Sequence, residues 1–358
     1  MGSKKSLFGS TLKLNTIIGG IGGTITSASE LEIHLGLNSG DVSAFKLEGL
    51  DVQARIEVNY EIPINRYLNN LDITSFEDLE NIVTALNTSC FYGTTNMNSF
   101  IGFGNVTVVG TSVFRLCGMT GTLSLPLWDG GLGSGMKSVF RESKFSVLDI
   151  PSCTKLWDGA CQDMPNLTAV NHGGFTYIST YCFYNTPKLT DFDFTGVTYI
   201  ESYGFWRAGR TSGFNLVADQ VTFIESFAFY QSGMTTFSLL SLTGLQNDVF
   251  NLSALQGVLD LNVLAPLITT MGQNNFRQSS LNEFHSDSLL SMTSVANFRS
   301  TPLQVLNTPN CVQIGSSTGD NKNFFLTPIN GIATVSSVVE FDGDIAYLAG
   351  RGWTINVV

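Results

Sequence analysis

The side chains best suited to nucleophilic or metal chemistry are three histidines (His34, His172, His285) and six cysteines (Cys90, Cys117, Cys153, Cys161, Cys182, Cys311). Their spacing supports neither. No CxxC pair occurs, and no cysteine has a histidine partner at zinc-site spacing. No nucleophile elbow or phosphate-cradling glycine loop stands between a strand and a helix, and GGIGG (19–23) reads as a flexible turn. Acidic residues are plentiful. A carboxyl pair about 5–9 Å apart is all that glycoside cleavage needs, so a polysaccharide-degrading activity stays open as an alternative. No cofactor and no metal are implied.

Two sets of residues recur with more regularity than any catalytic pattern. Ser124, Asp149, Asn171, Asp193, Asn215, Ser238, Asp260, His285 and Asn307 each occupy the third position of a short alternating segment, as in VLDI (147–150) and DFDF (191–194). Alternation turns them away from the core. They form either a solvated strand face or a binding row for a glycan or a protein. The second set is Tyr92, Arg115, Arg141, Gln162, Tyr184, Trp206, Tyr230, Asn251, Arg277 and Arg299. Such side chains lie over a core and keep a polar tip wet, or line a binding stripe.

The elements that must position these sets follow from a repeat of roughly 22 residues. Phe91, Phe114, Phe140, Cys161, Phe183, Phe205, Phe229, Phe250, Phe276 and Phe298 form one column. Five positions earlier stand Leu86, Val109, Gly135, Leu156, Ile178, Ile200, Ile224, Leu245, Met271 and Thr293, most of them apolar. Downstream of each aromatic residue comes one short strand. A strand and a compact turn cannot bury their own apolar side, so the units stack into a solenoid. Three cysteines fall at or beside the aromatic position, which makes the six small buried hydrophobes rather than disulfide partners.

Segments such as ISTYCFYNTPKLTDFDF (178–194) and IESFAFYQSGMTTFSL (224–239) resemble the BspA-type leucine-rich repeat. CGMTGTLSLP (117–126) is similar to its glycine variant, and YLAGRGWTINVV (347–358) to endings of such repeats. The resemblance covers about residues 82–313. It implies a leucine-rich-repeat solenoid and, because these repeats occur in bacterial and protist surface proteins and in phage virion proteins, binding rather than catalysis.

The flanks read differently. Residues 1–80 form a β-rich attachment or oligomerisation domain, with a strand at 30–37 and one long alternating strand at 51–62. A capping-box pattern opens TSFEDLENIVTAL (74–86), which predicts a helix that closes the solenoid end. The solenoid occupies 81–313, and 314–358 form a C-terminal cap that loses the aromatic register and ends in a strand near Trp353–Val357.

Composition bounds the function. The chain is 43% hydrophobic and 13% charged, with 29 acidic against 18 basic residues and a net charge of −11. That balance disfavours nucleic acid and anionic membrane surfaces as partners. No apolar run is long enough to predict membrane insertion. The N-terminus reads as lacking a secretory signal, although Gly2 and Ser6 fit a loose acylation pattern. These features lead to a structural and adhesive virion protein, a phage tail-fibre or capsid-spike subunit. It would assemble in the host cytoplasm as a homo-oligomer, attach to other virion proteins through residues 1–80 and bind a host-surface glycan or protein. A cellular surface adhesin is the alternative.

Overall fold

A computed structural model describes residues 11–15, 42–48, 51–56, 60–62, 64–69, 75–78, 83–131, 137–292, 296–314, 330–336 and 343–358, with single positions at 29, 39, 71 and 324. The strand expected at 30–37 lies outside the described residues, as do His34, Gly135 and Thr293. The fold is a mainly β solenoid with few helices. Its chain divides into two compact units, Met1–Gly173 and Gly174–Val358.

The aromatic column is the spine of each unit. Every one of its members from Phe91 to Phe298, Cys161 included, is fully buried. In the first unit the rings of Tyr67, Phe91, Phe114 and Phe140 stack at 5.1, 5.9 and 6.0 Å. In the second, Phe183, Phe205, Phe229, Phe250, Phe276, Phe298 and Phe324 stack at 5.2 to 6.0 Å. The register therefore begins at Tyr67 and reaches Phe324, one turn beyond the expected solenoid at each end. Tyr60–Ile62 pairs in parallel with Val83–Leu86, and Ile332–Val335 with both Val305–Thr308 and Thr354–Val357. The segment expected to cap the C-terminus thus extends the ladder, with the helix Gly343–Gly350 placed between its two strands.

Most turns hold two strands, where the sequence suggested one; the turn around Cys161, between Val147–Ile150 and Ala169–His172, holds a single strand. The longer strands include Val147–Ile150, Ala169–His172 and Ser280–His285. The additional ones are two-residue strands such as Tyr177–Ile178, Tyr199–Ile200 and Phe223–Ile224, built on the apolar column that precedes the aromatic one. Two residues are too short a run for alternation to reveal.

Between the two strands, the backbone on both sides of each column residue is left-handed. The residues two before and two after have positive φ: Ser89 and Gly93 around Phe91, Tyr203 and Arg207 around Phe205, Asp248 and Leu252 around Phe250. Left-handed backbone costs a non-glycine residue about 1–2 kcal/mol. The return is a set of hydrogen bonds along the stack. Tyr203 and Phe250 aside, the amides of these residues and of the phenylalanines between them donate to the next turn, as from Phe205 to Ala228 O at 2.8 Å and from Arg207 to Tyr230 O at 3.0 Å. Amides in between close the turn on itself, as from Trp206 to Tyr203 O at 3.2 Å.

Two expectations for the N-terminal region are corrected. The helix at 74–86 is absent, because Ser75–Asp78 and Val83–Leu86 are strands. Phe76 and Val83, spaced as on one helical face, are instead buried core positions of two successive strands. Pairing of Ser75–Asp78 with Ser99–Ile101 outweighs the local capping signal. The long strand at 51–62 is two strands. Asp51–Ile56 pairs antiparallel with Thr11–Asn15 and Val42–Glu48, while Tyr60–Ile62 already belongs to the solenoid ladder.

Candidate polar face on the longer strands

None of the nine expected site residues is buried, while the residues preceding them in the strands are, as with Leu123, Leu148, Leu259, Phe284 and Leu306, apart from the half-buried Phe192 before Asp193. The nine do not form one continuous row.

In the first unit, Ser124, Asp149 and Asn171 lie side by side in register on parallel strands. The Ser124 hydroxyl donates to Asp149 Oδ2 at 2.7 Å, and Asn171 Nδ2 donates to Asp149 Oδ1 at 2.6 Å. The expected ladder of free acceptors is therefore a mutually bonded triad. A carboxylate has several acceptor sites, so Asp149 retains capacity for a ligand but is already positioned by its neighbours.

In the second unit, Asp193 accepts from the Thr195 amide at 2.8 Å and so stabilises its own turn. Asn215 faces Thr236 rather than Ser238, because an irregularity after Phe214 shifts the register. Ser238 lies opposite Val217 and bonds Asp219. The expected adjacency of Asn215 and Ser238 is corrected on that account.

The most regular part of the face is a parallel five-stranded sheet built from Gln256–Asp260, Ser280–His285, Val305–Thr308, Ile332–Val335 and Thr354–Val357. Asp260, His285, Asn307, Thr334 and Asn356 stand in register across it. Sequence reading missed Thr334 and Asn356; their signal is the alternation IATV and TINV in a segment without the usual phenylalanine spacing. Asp260 caps the short helix Leu261–Leu264 by accepting from the Asn262 amide at 3.0 Å. His285 Nε2 lies 3.1 Å from Glu283 Oε2.

The second candidate set behaves as a cover over the core and as a source of packing. Tyr184, Trp206 and Tyr230 pack at 5.7 and 4.5 Å. Arg115 lies over Tyr92 and bonds Glu142 at 3.3 Å. Asn251 is buried and donates to Asp248 Oδ1 at 2.7 Å.

All six cysteines are buried thiols outside any disulfide. Burial pushes the Cys90 and Cys161 thiols well above their ordinary range, which suppresses the reactive thiolate. Among the described residues no cluster of three or more His, Cys, Asp or Glu could hold a metal, and no helix is long and apolar enough to cross a membrane.

The repeat is also recognisable by comparison. A crystal structure of a leucine-rich repeat protein from Bacteroides ovatus ATCC 8483 is similar, with a TM-score of 0.48 and 12% identity, covering 88% of this chain and 90% of that one. No curated protein matches the sequence. The model of the BspA type leucine rich repeat region matches residues 60–173, 136–256 and 217–324. Those limits bracket the ladder that starts at Tyr60 and the ring stack that ends at Phe324, and they cover more than half of the sequence. By that match the chain belongs to the BspA-type leucine-rich repeat family.

Proposed function

We propose that this protein is a recognition and adhesion module rather than an enzyme, and that it engages a host-surface glycan or protein through the polar face of its longer strands. The observation that carries this reading is the row Asp260, His285, Asn307, Thr334 and Asn356, held in register on five parallel strands. Parallel strands lie about 4.8 Å apart. Side chains at that spacing offer donors and acceptors to sugar hydroxyls or to a polar loop, each hydrogen bond contributing about 1 kcal/mol. The narrower form of the proposal places the protein on a virion, as a tail-fibre or capsid-spike subunit. The antiparallel strands Thr11–Asn15, Val42–Glu48 and Asp51–Ile56 would there dock onto other virion proteins or sister copies, with Val42–Glu48 at the sheet edge available for pairing.

The test spares the aspartates that the fold uses. Replacing His285, Asn307 and Thr334 together by lysine changes outward positions, where substitutions usually cost within about 0.5 kcal/mol each. The variant is expected to keep its thermal transition and to lose binding to intact cells in a panel of bacteria that bind the wild type. A folded variant that binds as well as wild type removes this face. Mass spectrometry of purified particles tests the location, and absence of the protein from them contradicts it.

A further inference from the structure

We propose a second recognition site, on a different sheet from the polar face: a shallow groove at Phe223 that binds a pyranose ring of a glycan against the flat face of that side chain.

The groove results from how one ring stack ends. Tyr177, Tyr199 and Phe223 occupy equivalent positions on three parallel two-residue strands. Their rings stack at 5.2 and 5.2 Å with interplanar angles of 12° and 19°. The next strand of the series, Gly244–Leu245, presents glycine at that position. It also belongs to a separate sheet, so strand pairing breaks between Phe223–Ile224 and Gly244–Leu245. The turn ladder nevertheless continues across the break, with the Phe227 amide donating to Asn247 O at 3.1 Å. One face of Phe223 is covered by Tyr199, and on the other side the next turn has glycine at the equivalent position, with the Thr270 side chain beyond Gly244 and Gln246 at the rim of the groove. Phe223 remains 38% exposed.

Polar groups surround that ring. Tyr199, Ser202, Phe223, Glu225, Ser226 and Gln246 line the groove. Glu225 is fixed from behind: the Tyr199 hydroxyl donates to Oε1 at 2.6 Å, and the Ser202 amide and hydroxyl donate to Oε2 at 3.0 and 2.7 Å. Burial pushes the Glu225 carboxyl up, but these hydrogen bonds outweigh it and hold the group below its ordinary range, so it stays an acceptor. Gln246 is exposed and Ser226 half-buried, and neither side chain is tied to another protein group. An open aromatic face flanked by convergent donors and acceptors is the arrangement that suits a ring with C–H bonds on one face and hydroxyls at its rim. A cationic ligand suits it less, because Glu225 is already compensated by three donors and a single ring does not form a cage.

The full-length chain is titrated separately with the methyl glycosides of glucose, galactose, mannose and N-acetylglucosamine, read by saturation-transfer NMR. At least one sugar is expected to receive saturation, strongest on the protons of one ring face. Phe223→Ala should weaken that binding about tenfold or more, Phe223→Tyr should restore it, and Gln246→Ala should weaken it severalfold. Phe223→Leu, which keeps apolar bulk without a flat face, gives the same loss and covers the case in which Phe223→Ala does not fold. The triple lysine variant of the polar face should bind the sugar normally, so failure of either site leaves the other testable. No transfer to any of the four sugars, undiminished binding by the folded Phe223→Ala or Phe223→Leu variant, or displacement of the sugar by choline would overturn the proposal.

Discussion

Two stretches of the second unit run the same backbone course on different chemistry. Around Phe183, Phe205 and Phe229, the residue before each ring is small: Cys182, Gly204 and Ala228. Their amides close the turn locally, to Ser179, Glu201 and Glu225 carbonyls. Stiffness comes from aromatic stacks outside the core, with Tyr181, Tyr203 and Phe227 at 4.9 and 5.3 Å. Around Phe250, Phe276 and Phe298 the left-handed positions before each ring hold Asp248, Asn274 and Ala296, and the residue just before two of those rings is asparagine. Asn275 and Asn297 are fully buried. Asn275 Oδ1 accepts from the Val249 amide at 3.1 Å, and Asn297 Oδ1 from the Asn275 amide at 2.9 Å. Asn275 Nδ2 donates to the Gln246 and Gly272 carbonyls at 2.9 and 3.1 Å. The lesson is that a repeat fixes the phenylalanine and its left-handed flanks, while the links between neighbouring turns are interchangeable between ring stacking and a buried amide ladder.

The largest expected effect is common to both stretches. Phe205→Ala and Phe276→Ala each remove a fully buried ring stacked on both sides, and each should cost about 3–5 kcal/mol in chemical denaturation. A cost near zero for either would break the shared-spine half of the comparison.

Next comes the amide ladder. Asn275→Ala leaves the Val249 amide and two carbonyls without their partner, and a buried unpaired group costs about 1–3 kcal/mol. A loss of about 3 kcal/mol is expected in the same denaturation experiment. Cys182→Ala, at the equivalent position of the aromatic stretch, should cost about 1 kcal/mol or less. Equal costs would contradict the assignment of different chemistry.

Smaller again is Trp206→Ala. It removes packing with Tyr203 at 5.1 Å and Tyr230 at 4.5 Å, and aromatic pairs contribute about 0.5–1.5 kcal/mol each beyond buried area. A loss of about 2 kcal/mol is expected from thermal denaturation. The smallest change has the opposite sign. Leu252 has φ of 59°, and Leu252→Gly should raise stability by about 0.5 kcal/mol, the relieved strain exceeding the lost entropy and contacts. A destabilised Leu252→Gly variant would show that the side chain contributes more than its backbone conformation costs.

The parts of this molecule that repeat were legible in the sequence. The phenylalanine column and the described members of the preceding apolar column are buried, and the polar side chains of the longer strands are not, as spacing placed them, because each recurs with one environment per turn. What escaped was decided by neighbours. Ser75–Asp78 carries helical spacing yet pairs as a strand, since the ladder supplies what the local pattern does not. The shift that puts Asn215 opposite Thr236 depends on an irregularity in one strand, which alternation over four residues does not reveal. The bonding of Asp149, Asp193 and Asp260 to nearby groups was hidden for the same reason: polarity reads from sequence, occupancy of the lone pairs does not. Phe223 gave no signal by itself, because its open face is produced by a glycine one turn later.

Amide hydrogen exchange on the full-length wild type and on Asn275→Ala tests most directly whether one backbone course is held by two chemistries. The account predicts that the Val249 amide loses protection at least tenfold in the variant, while the Gly204 and Ala228 amides, which bond within their own turns, exchange as in wild type. Unchanged protection at Val249, or an equal loss at Gly204 and Ala228, would contradict it.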